Sequence, residues 1–285
     1  MSKNLRVAVT GTDGTGKTTI VRRLAELFAD RPGRLRAFRA PQYHEDPDLP
    51  FAALSRAIDD MSVLADRQGD PVLKATALFL SMTLFGDVER FAKQAYQPIV
   101  LVSERQCLAD SLTYARFYLP LLTGPLDRDR LEPLLPEALG HDGYHRLLAW
   151  LPVFQAREAG RGEAVDLWQL PVFIQGLFSS RPELLLGRLK ALYHAEVPDL
   201  IVLLTLSPDA LASRMAQKRG AAPQELHEQA NVLAMFQEGL QASCEGLAAA
   251  HPGTRVAVID ASAQSIEESV AAVLGAIGRD DDLTL

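Results

Sequence analysis

Short, unbroken apolar runs alternate with longer stretches of helical periodicity along this chain of 285 residues. The runs with the length and composition of strands are residues 5–10, 35–39, 98–103, 200–206 and 255–260. Strands without polar alternation are typical of a parallel sheet that is covered on both faces. The pattern therefore predicts an α/β fold, a five-stranded parallel sheet flanked by helices.

Helical periodicity fills the segments between the predicted strands. The predicted helices cover residues 18–28, 50–66, 72–95 and 106–119. The segment 120–197 contains both tryptophans and several prolines, but it has no clear strand pattern. We therefore expect a single domain over residues 1–285, with a mainly helical insertion at 120–197.

The loop after the first predicted strand reads GTDGTGKTT (11–19) and matches the phosphate-loop pattern G-x-x-x-x-G-K-[ST]. Glycines in such a loop let backbone N–H groups turn toward phosphate oxygens, and the following helix N-terminus attracts anions. In this pattern Lys17 reaches the β- and γ-phosphates, and the hydroxyl of Thr18 binds Mg²⁺. The motif predicts a nucleoside triphosphate site made by Gly11, Asp13, Gly14, Thr15, Gly16, Lys17, Thr18 and Thr19.

Glu104 and Arg105 follow the third predicted strand, at the carboxyl edge of the sheet, where ligands of α/β folds bind. A carboxylate in that place can hold Mg²⁺, directly or through water, or accept a proton from an acceptor group. An arginine can clamp an acceptor oxyanion with two hydrogen bonds. We therefore predict catalytic roles for both residues, and leave open whether Glu104 is a metal ligand or a base.

A basic segment follows the fourth predicted strand. Arg214, Lys218 and Arg219 lie on a short predicted helix within residues 208–220. Arginines that close over a triphosphate neutralise the charge that develops during phosphoryl transfer. The segment 208–222 is therefore the predicted lid, with Arg214 and Arg219 as its catalytic residues.

The amino-acid composition limits the kinds of molecule that this chain is expected to bind. The formal net charge is −7 and 48% of residues are hydrophobic, which favours an enzyme of small molecules over a nucleic-acid-binding protein. We expect no secretory leader and no apolar run of membrane-spanning length, and so a cytoplasmic protein without a membrane partner. Cys107 and Cys244 lack the spacing of metal ligands and are predicted to be buried thiols.

Five segments together resemble the thymidylate kinase family and, more loosely, the deoxynucleoside kinases. They are the phosphate loop GTDGTGKTT, SERQCLADSLTYARFY (103–118), PDLIVLLTLSPDALASRMAQKRG (198–220), LHE (226–228) and VIDASAQSIEESV (258–270). They occur in the order found in the family and cover about two-thirds of the chain.

The resemblance implies a P-loop kinase fold, with ATP and Mg²⁺ as cofactors and a nucleoside monophosphate, dTMP by default, as acceptor. It implies that Asp13 contacts the acceptor's sugar and that Arg105 contacts its phosphate. It further implies that the loop Asp260, Ala261 and Ser262 contacts adenine, that the lid supplies the catalytic arginine, and that the chain forms a homodimer.

The sequence differs from the family at positions where relatives bind the phosphoryl acceptor. Ala40 stands where relatives have a carboxylate, and Thr83 and Leu84 align with an acidic–basic pair. Glu104 and Arg105 look more like the corresponding pair of deoxynucleoside kinases. A nucleoside acceptor therefore stays open, with Glu104, Glu45 or Asp46 as the base that a hydroxyl acceptor needs. A nucleotide-binding regulatory protein that has lost catalysis is the third alternative.

Overall fold

The sheet consists of five parallel strands in the order β2-β3-β1-β4-β5, in a computed structural model that describes residues 4–158, 164–218 and 230–278. The strands are β1 Leu5–Gly11, β2 Leu35–Arg39, β3 Val100–Glu104, β4 Leu200–Thr205 and β5 Arg255–Asp260. All five predicted strands are confirmed: β2 and β5 have the predicted ends, and the ends of the other three differ by one or two residues. Helices flank this sheet, and the phosphate-loop sequence joins β1 to a helix, so the predicted α/β fold with a five-stranded parallel sheet is confirmed.

The register of the sheet decides which strand ends lie side by side. The central strand β1 pairs with β3, with Val9 opposite Glu104, and with β4, with Gly11 opposite Leu204. Strand β2 pairs with the other edge of β3 and places Arg39 opposite Glu104. The carboxyl ends of β2, β3 and β1 therefore meet at one edge of the sheet.

Helices connect the successive strands of the sheet. The long helices are α1 Lys17–Leu27, α2 Ala52–Gln68, α3 Pro71–Met82, α4 Phe85–Tyr96, α5 Cys107–Tyr118, α8 His141–Gln155, α9 Leu170–Phe178, α10 Pro182–Tyr193, α11 Pro208–Lys218, α12 Ala230–Ala250 and α13 Ile266–Ile277. Two shorter helices are α6 Arg128–Leu131 and α7 Leu134–Leu139, and single 3₁₀ turns form at Tyr43–Glu45 and Leu119–Leu121.

The chain forms two compact units. The first comprises Met1–Ala40, Ala92–Thr113 and Val197–Leu285, and it contains the whole sheet. The second comprises Pro41–Phe91 and Tyr114–Glu196, and its described residues form helices, turns and loops. The predicted insertion at 120–197 lies almost entirely within the second unit. Its role as an insertion in a single domain stays a prediction.

The core of the first unit follows directly from the apolar strands. Its buried side chains come from one face of the sheet and from the inner sides of α1 and α13: Val7, Val9, Ile20, Leu24, Val100, Val102, Val202, Leu204, Val270 and Val273. The free energy gained by burying these apolar side chains is the main contribution that holds α1 and α13 on the sheet. Cys107 and Cys244 are buried and free, as predicted.

The predicted helix over residues 72–95 is wrong in one respect, because it is interrupted at Thr83. The Thr83 hydroxyl donates to the Leu80 carbonyl at 2.6 Å and accepts from the Trp150 indole at 2.7 Å. Arg157 donates to the Thr83 carbonyl at 2.9 Å. Side chains from elsewhere in the second unit therefore compete with the helix for the backbone of Thr83 and divide the segment into α3 and α4.

The expectation that no apolar run is long enough to span a membrane also needs correction. Taken together, α3 and α4 form a helical run, Pro71–Tyr96, with a mean hydropathy of 1.3 over its most apolar window. Since 78% of that window is buried inside the protein, the run has the burial of a core helix.

Gly86, near the start of α4, permits a close approach of two chain segments in the second unit. A Cβ at this position would lie 1.9 Å from the carbonyl oxygen of His194, which is backbone and cannot rotate away. We expect Gly86→Ala to lower the free energy of unfolding by about 3 kcal/mol, measured by urea denaturation.

Gly187→Ala is the matched control, because Gly187 also lies in a helix of this unit and a Cβ there would meet nothing within 4 Å. Alanine at that position should leave stability unchanged or raise it by up to about 1 kcal/mol, since alanine is the better helix former. Equal stability of the two variants would contradict the close packing of α4 against His194.

Candidate functional site

The phosphate loop has a backbone that requires glycine. Gly16, just before α1, adopts φ 89°, a left-handed conformation that is costly for residues with a side chain. At Gly11 a Cβ would lie 2.7 Å from both the Leu204 carbonyl oxygen and the Thr15 hydroxyl. The Thr15 hydroxyl in turn donates to the Thr12 carbonyl at 2.8 Å. The loop is thus closed by contacts among its own residues, directly before the N-terminus of α1.

Lys17, the first residue of α1, points back into this loop. Its ammonium donates to the Thr12 carbonyl at 3.2 Å and pairs with an Asp13 carboxylate oxygen at 3.0 Å. The side chain is only 6% exposed. Burial lowers the pKa of Lys17, the nearby Arg105 lowers it further, and the Asp13 carboxylate opposes both effects.

Thr18 and Glu104, the two predicted metal ligands, lie in contact. The Thr18 hydroxyl donates to Glu104 Oε1 at 2.5 Å, and the Glu104 side chain is 3% exposed. A hydroxyl and a carboxylate are the hard oxygen donors that Mg²⁺ takes beside phosphate. The two residues therefore fit a Mg²⁺ ion bound with a nucleotide. No group of three or more His, Cys, Asp or Glu residues that could hold a metal is found in the described part of the chain.

Arg39 is a site residue that the sequence did not single out. Its guanidinium Nε donates to Glu104 Oε2 at 2.8 Å, while Oε1 of the same carboxylate accepts from Thr18. The contact results from the register of the sheet, in which Arg39 is the last residue of β2 and lies opposite Glu104. The only signal in the sequence is the basic residue at a predicted strand end.

Arg105 lies on the other side of the loop. It follows β3 directly, adopts φ 69°, and donates its backbone N–H to the Val9 carbonyl at 2.8 Å. The guanidinium contacts Asp13 at 3.0 Å and Asp110 at 3.4 Å. A left-handed conformation is uncommon for a residue with a side chain, and such strain is concentrated at functional sites.

Asp110 is the second residue that the sequence analysis missed. It lies in α5, is almost completely buried, and also accepts from the Thr10 hydroxyl at 3.4 Å. Burial raises the pKa of Asp110, and the neighbouring Arg105 opposes this rise. The sequence did contain a signal for Asp110. This residue comes about one helical turn after Glu104 and Arg105 and is a charged residue within an otherwise apolar stretch.

Arg214, in α11, is docked on the phosphate loop. Its guanidinium donates to the Gly14 carbonyl at 3.1 Å and to the Ala261 carbonyl at 2.6 Å. Arg219, residues 219–222 of the predicted lid and the segment 226–228 lie outside the described residues.

The predicted adenine loop lies beside these contacts, in the first unit. Asp260 accepts hydrogen bonds from the hydroxyl and from the backbone N–H of Ser262, the latter at 2.9 Å, and both lower the pKa of Asp260. The Ser262 hydroxyl also accepts the Ser207 N–H at 2.7 Å. Ala261 is buried, and Thr19 is exposed on α1. The alternative bases Glu45 and Asp46 belong to the second unit.

No protein-family model matches this chain, and no curated protein sequence matches it. Among solved structures, the chain is similar to a thymidylate kinase from Candida albicans, with a TM-score of 0.47 and 13% identity. The alignment covers 98% of this chain and 93% of that chain. Values this low establish neither the activity nor the substrate of this chain.

The raised pKa of Asp110 gives a pH dependence whose sign can be measured. Above 3.8 the unfolded chain releases the proton of this carboxyl, while the folded protein retains it up to the raised pKa. Wild-type stability therefore falls as pH rises through this window, and asparagine has no such titration. We expect the unfolding free energy of Asp110→Asn, relative to wild type, to increase in urea denaturation as pH rises above 3.8.

Asp129→Asn is the control for loss of a carboxylate from an exposed position, on α6. If the relative stability of Asp110→Asn stayed flat or decreased with pH, burial would not be what governs the titration of Asp110.

Proposed function

We propose that this chain is an ATP-dependent kinase that transfers the γ-phosphoryl group to a nucleoside monophosphate, with dTMP as the default acceptor. The observation that carries the proposal is the shared contact at Asp13. One oxygen of this carboxylate pairs with Lys17 of the phosphate loop and with Arg105 at the end of β3, each at 3.0 Å. A cation suited to the donor phosphates and a cation suited to an acceptor phosphate are thereby held next to each other.

Each site residue has a defined part in this proposal. Lys17 neutralises the donor phosphates, backbone N–H groups of the loop bind their oxygens, and Thr18 with Glu104 holds Mg²⁺. Bound Mg²⁺ would supply positive charge that offsets the negative charge of the phosphates. Arg214, held over Gly14, is the lid arginine that the family resemblance calls for. Arg105 binds the acceptor phosphate, and Asp13 orients Arg105.

The hydrogen bonds that Glu104 accepts favour an acceptor substrate that is already ionised. Both oxygens of the Glu104 carboxylate are engaged, one by Thr18 and one by Arg39. Proton transfer from a hydroxyl acceptor to Glu104 would have to weaken the buried ion pair with Arg39. A phosphate acceptor needs no base, only cations that cancel the repulsion between two anions. This supports a monophosphate over a nucleoside, while dTMP itself rests on the family resemblance.

The direct test is ADP release from Mg·ATP with a panel of nucleoside monophosphates and of nucleosides. The proposal expects turnover with one or more monophosphates, with dTMP first among them. Turnover with nucleosides alone would contradict it and would give Glu104 the role of base. ATP binding without turnover on any acceptor would favour the regulatory alternative. Cytoplasmic location and a homodimer stay predictions from the sequence.

Lys17→Ala should lower turnover by about two to four orders of magnitude, or about 3–5 kcal/mol of transition-state stabilisation. The reason is that no other lysine lies on the phosphate loop to neutralise the donor phosphates. Lys93→Ala, at an exposed position of α4, controls for the loss of a lysine side chain. Near-normal turnover of Lys17→Ala would contradict the assignment of the donor site.

A further inference from the structure

The contact between Arg39 and Glu104 lies at the carboxyl end of the sheet, beside the phosphate loop. It joins the last residues of two neighbouring strands through a hydrogen-bonded ion pair at 2.8 Å, with side chains only 17% and 3% exposed. Charge-assisted hydrogen bonds of this kind fix orientation as well as charge. One oxygen of the Glu104 carboxylate is therefore fixed by Arg39, and its second oxygen is turned toward the phosphate loop.

The second oxygen, Oε1, accepts the proton of the Thr18 hydroxyl at 2.5 Å. A hydroxyl whose proton is committed to a carboxylate offers its oxygen lone pairs to a cation. The three side chains thus form a chain of contacts that runs from Arg39 through Glu104 to Thr18. Its first member, on β2, contacts Glu104, and Glu104 in turn contacts Thr18 of the phosphate loop.

We propose that Arg39 is the positioning residue for the magnesium site: it orients Glu104, and Glu104 orients Thr18, so that the loop binds nucleotide more tightly in the presence of Mg²⁺. This inference rests on the proposed function only in requiring that the phosphate loop binds a nucleotide. It is independent of the acceptor and of turnover. Loss of an outer partner of a metal ligand typically weakens metal binding by about 10- to 100-fold.

The test measures ADP affinity by isothermal titration calorimetry, once with MgCl₂ and once with EDTA. The ratio of the two affinities is the magnesium enhancement. We expect Arg39→Met to lower this enhancement about tenfold or more, with the affinity in EDTA unchanged. Arg39→Lys should recover part of it, because lysine keeps the charge but offers a different hydrogen-bond geometry.

A double-mutant cycle separates positioning from a structural role. If Arg39 acts through Glu104, Arg39→Met should reduce the enhancement in the wild-type background and have no further effect in a Glu104→Gln background. The double variant also covers the case in which Arg39→Met fails to fold, since a neutral amide at position 104 needs no cation beside it. Arg36→Met, on the same strand and stacked on Tyr96, is the matched control and should retain the enhancement.

The outcomes are distinguishable. An unchanged enhancement in Arg39→Met would overturn the inference. An equal loss of affinity with MgCl₂ and with EDTA would also overturn it, because Arg39 would then contact the nucleotide or support the fold generally. Equal effects of Arg39→Met in the two backgrounds would exclude action through Glu104. Absence of ADP binding by wild type would contradict the proposed function, and the inference with it, whereas absence of turnover alone leaves the expected enhancement intact.

Discussion

The carboxylate of Asp13 is the interaction on which the rest of the site depends. Lys17 and Arg105 carry like charges and approach the same oxygen atom, each at 3.0 Å. Without an anion between them these cations would repel each other, and Arg105 already lowers the pKa of Lys17. Asp13 makes this concentration of positive charge compatible with a folded chain. A nucleotide would then meet cations already in place, so little reorganisation is needed on binding.

The parallel sheet makes this contact possible. Because β1 and β3 are neighbours, the loop that follows β1 and the arginine that follows β3 come to the same edge. Strand β2 pairs with the other side of β3, and the register of this pairing places Arg39 opposite Glu104. The site is therefore made of residues at strand ends, which the fold supports on a core of buried apolar side chains.

The strands and the phosphate loop could be predicted from the sequence, whereas the roles of Arg39 and Asp110 could not, for a physical reason. The strands and the phosphate loop are local signals, because an unbroken apolar run and a glycine pattern each determine their own conformation. Arg39 and Asp110 acquire their roles from partners far along the chain, Glu104 and Arg105, so only strand register and the turn of α5 reveal them. The interruption of the helix at Thr83 likewise depends on distant side chains.

The most direct test of this interaction is a double-mutant cycle between Asp13 and Arg105, read as the free energy of unfolding in urea denaturation. Asp13→Asn should destabilise the protein in the wild-type background, because Lys17 is then left beside an uncompensated Arg105. In an Arg105→Met background the same change should cost less, with a coupling of about 1–3 kcal/mol. Additive effects of the two substitutions would contradict the claim that Asp13 holds the two cations together.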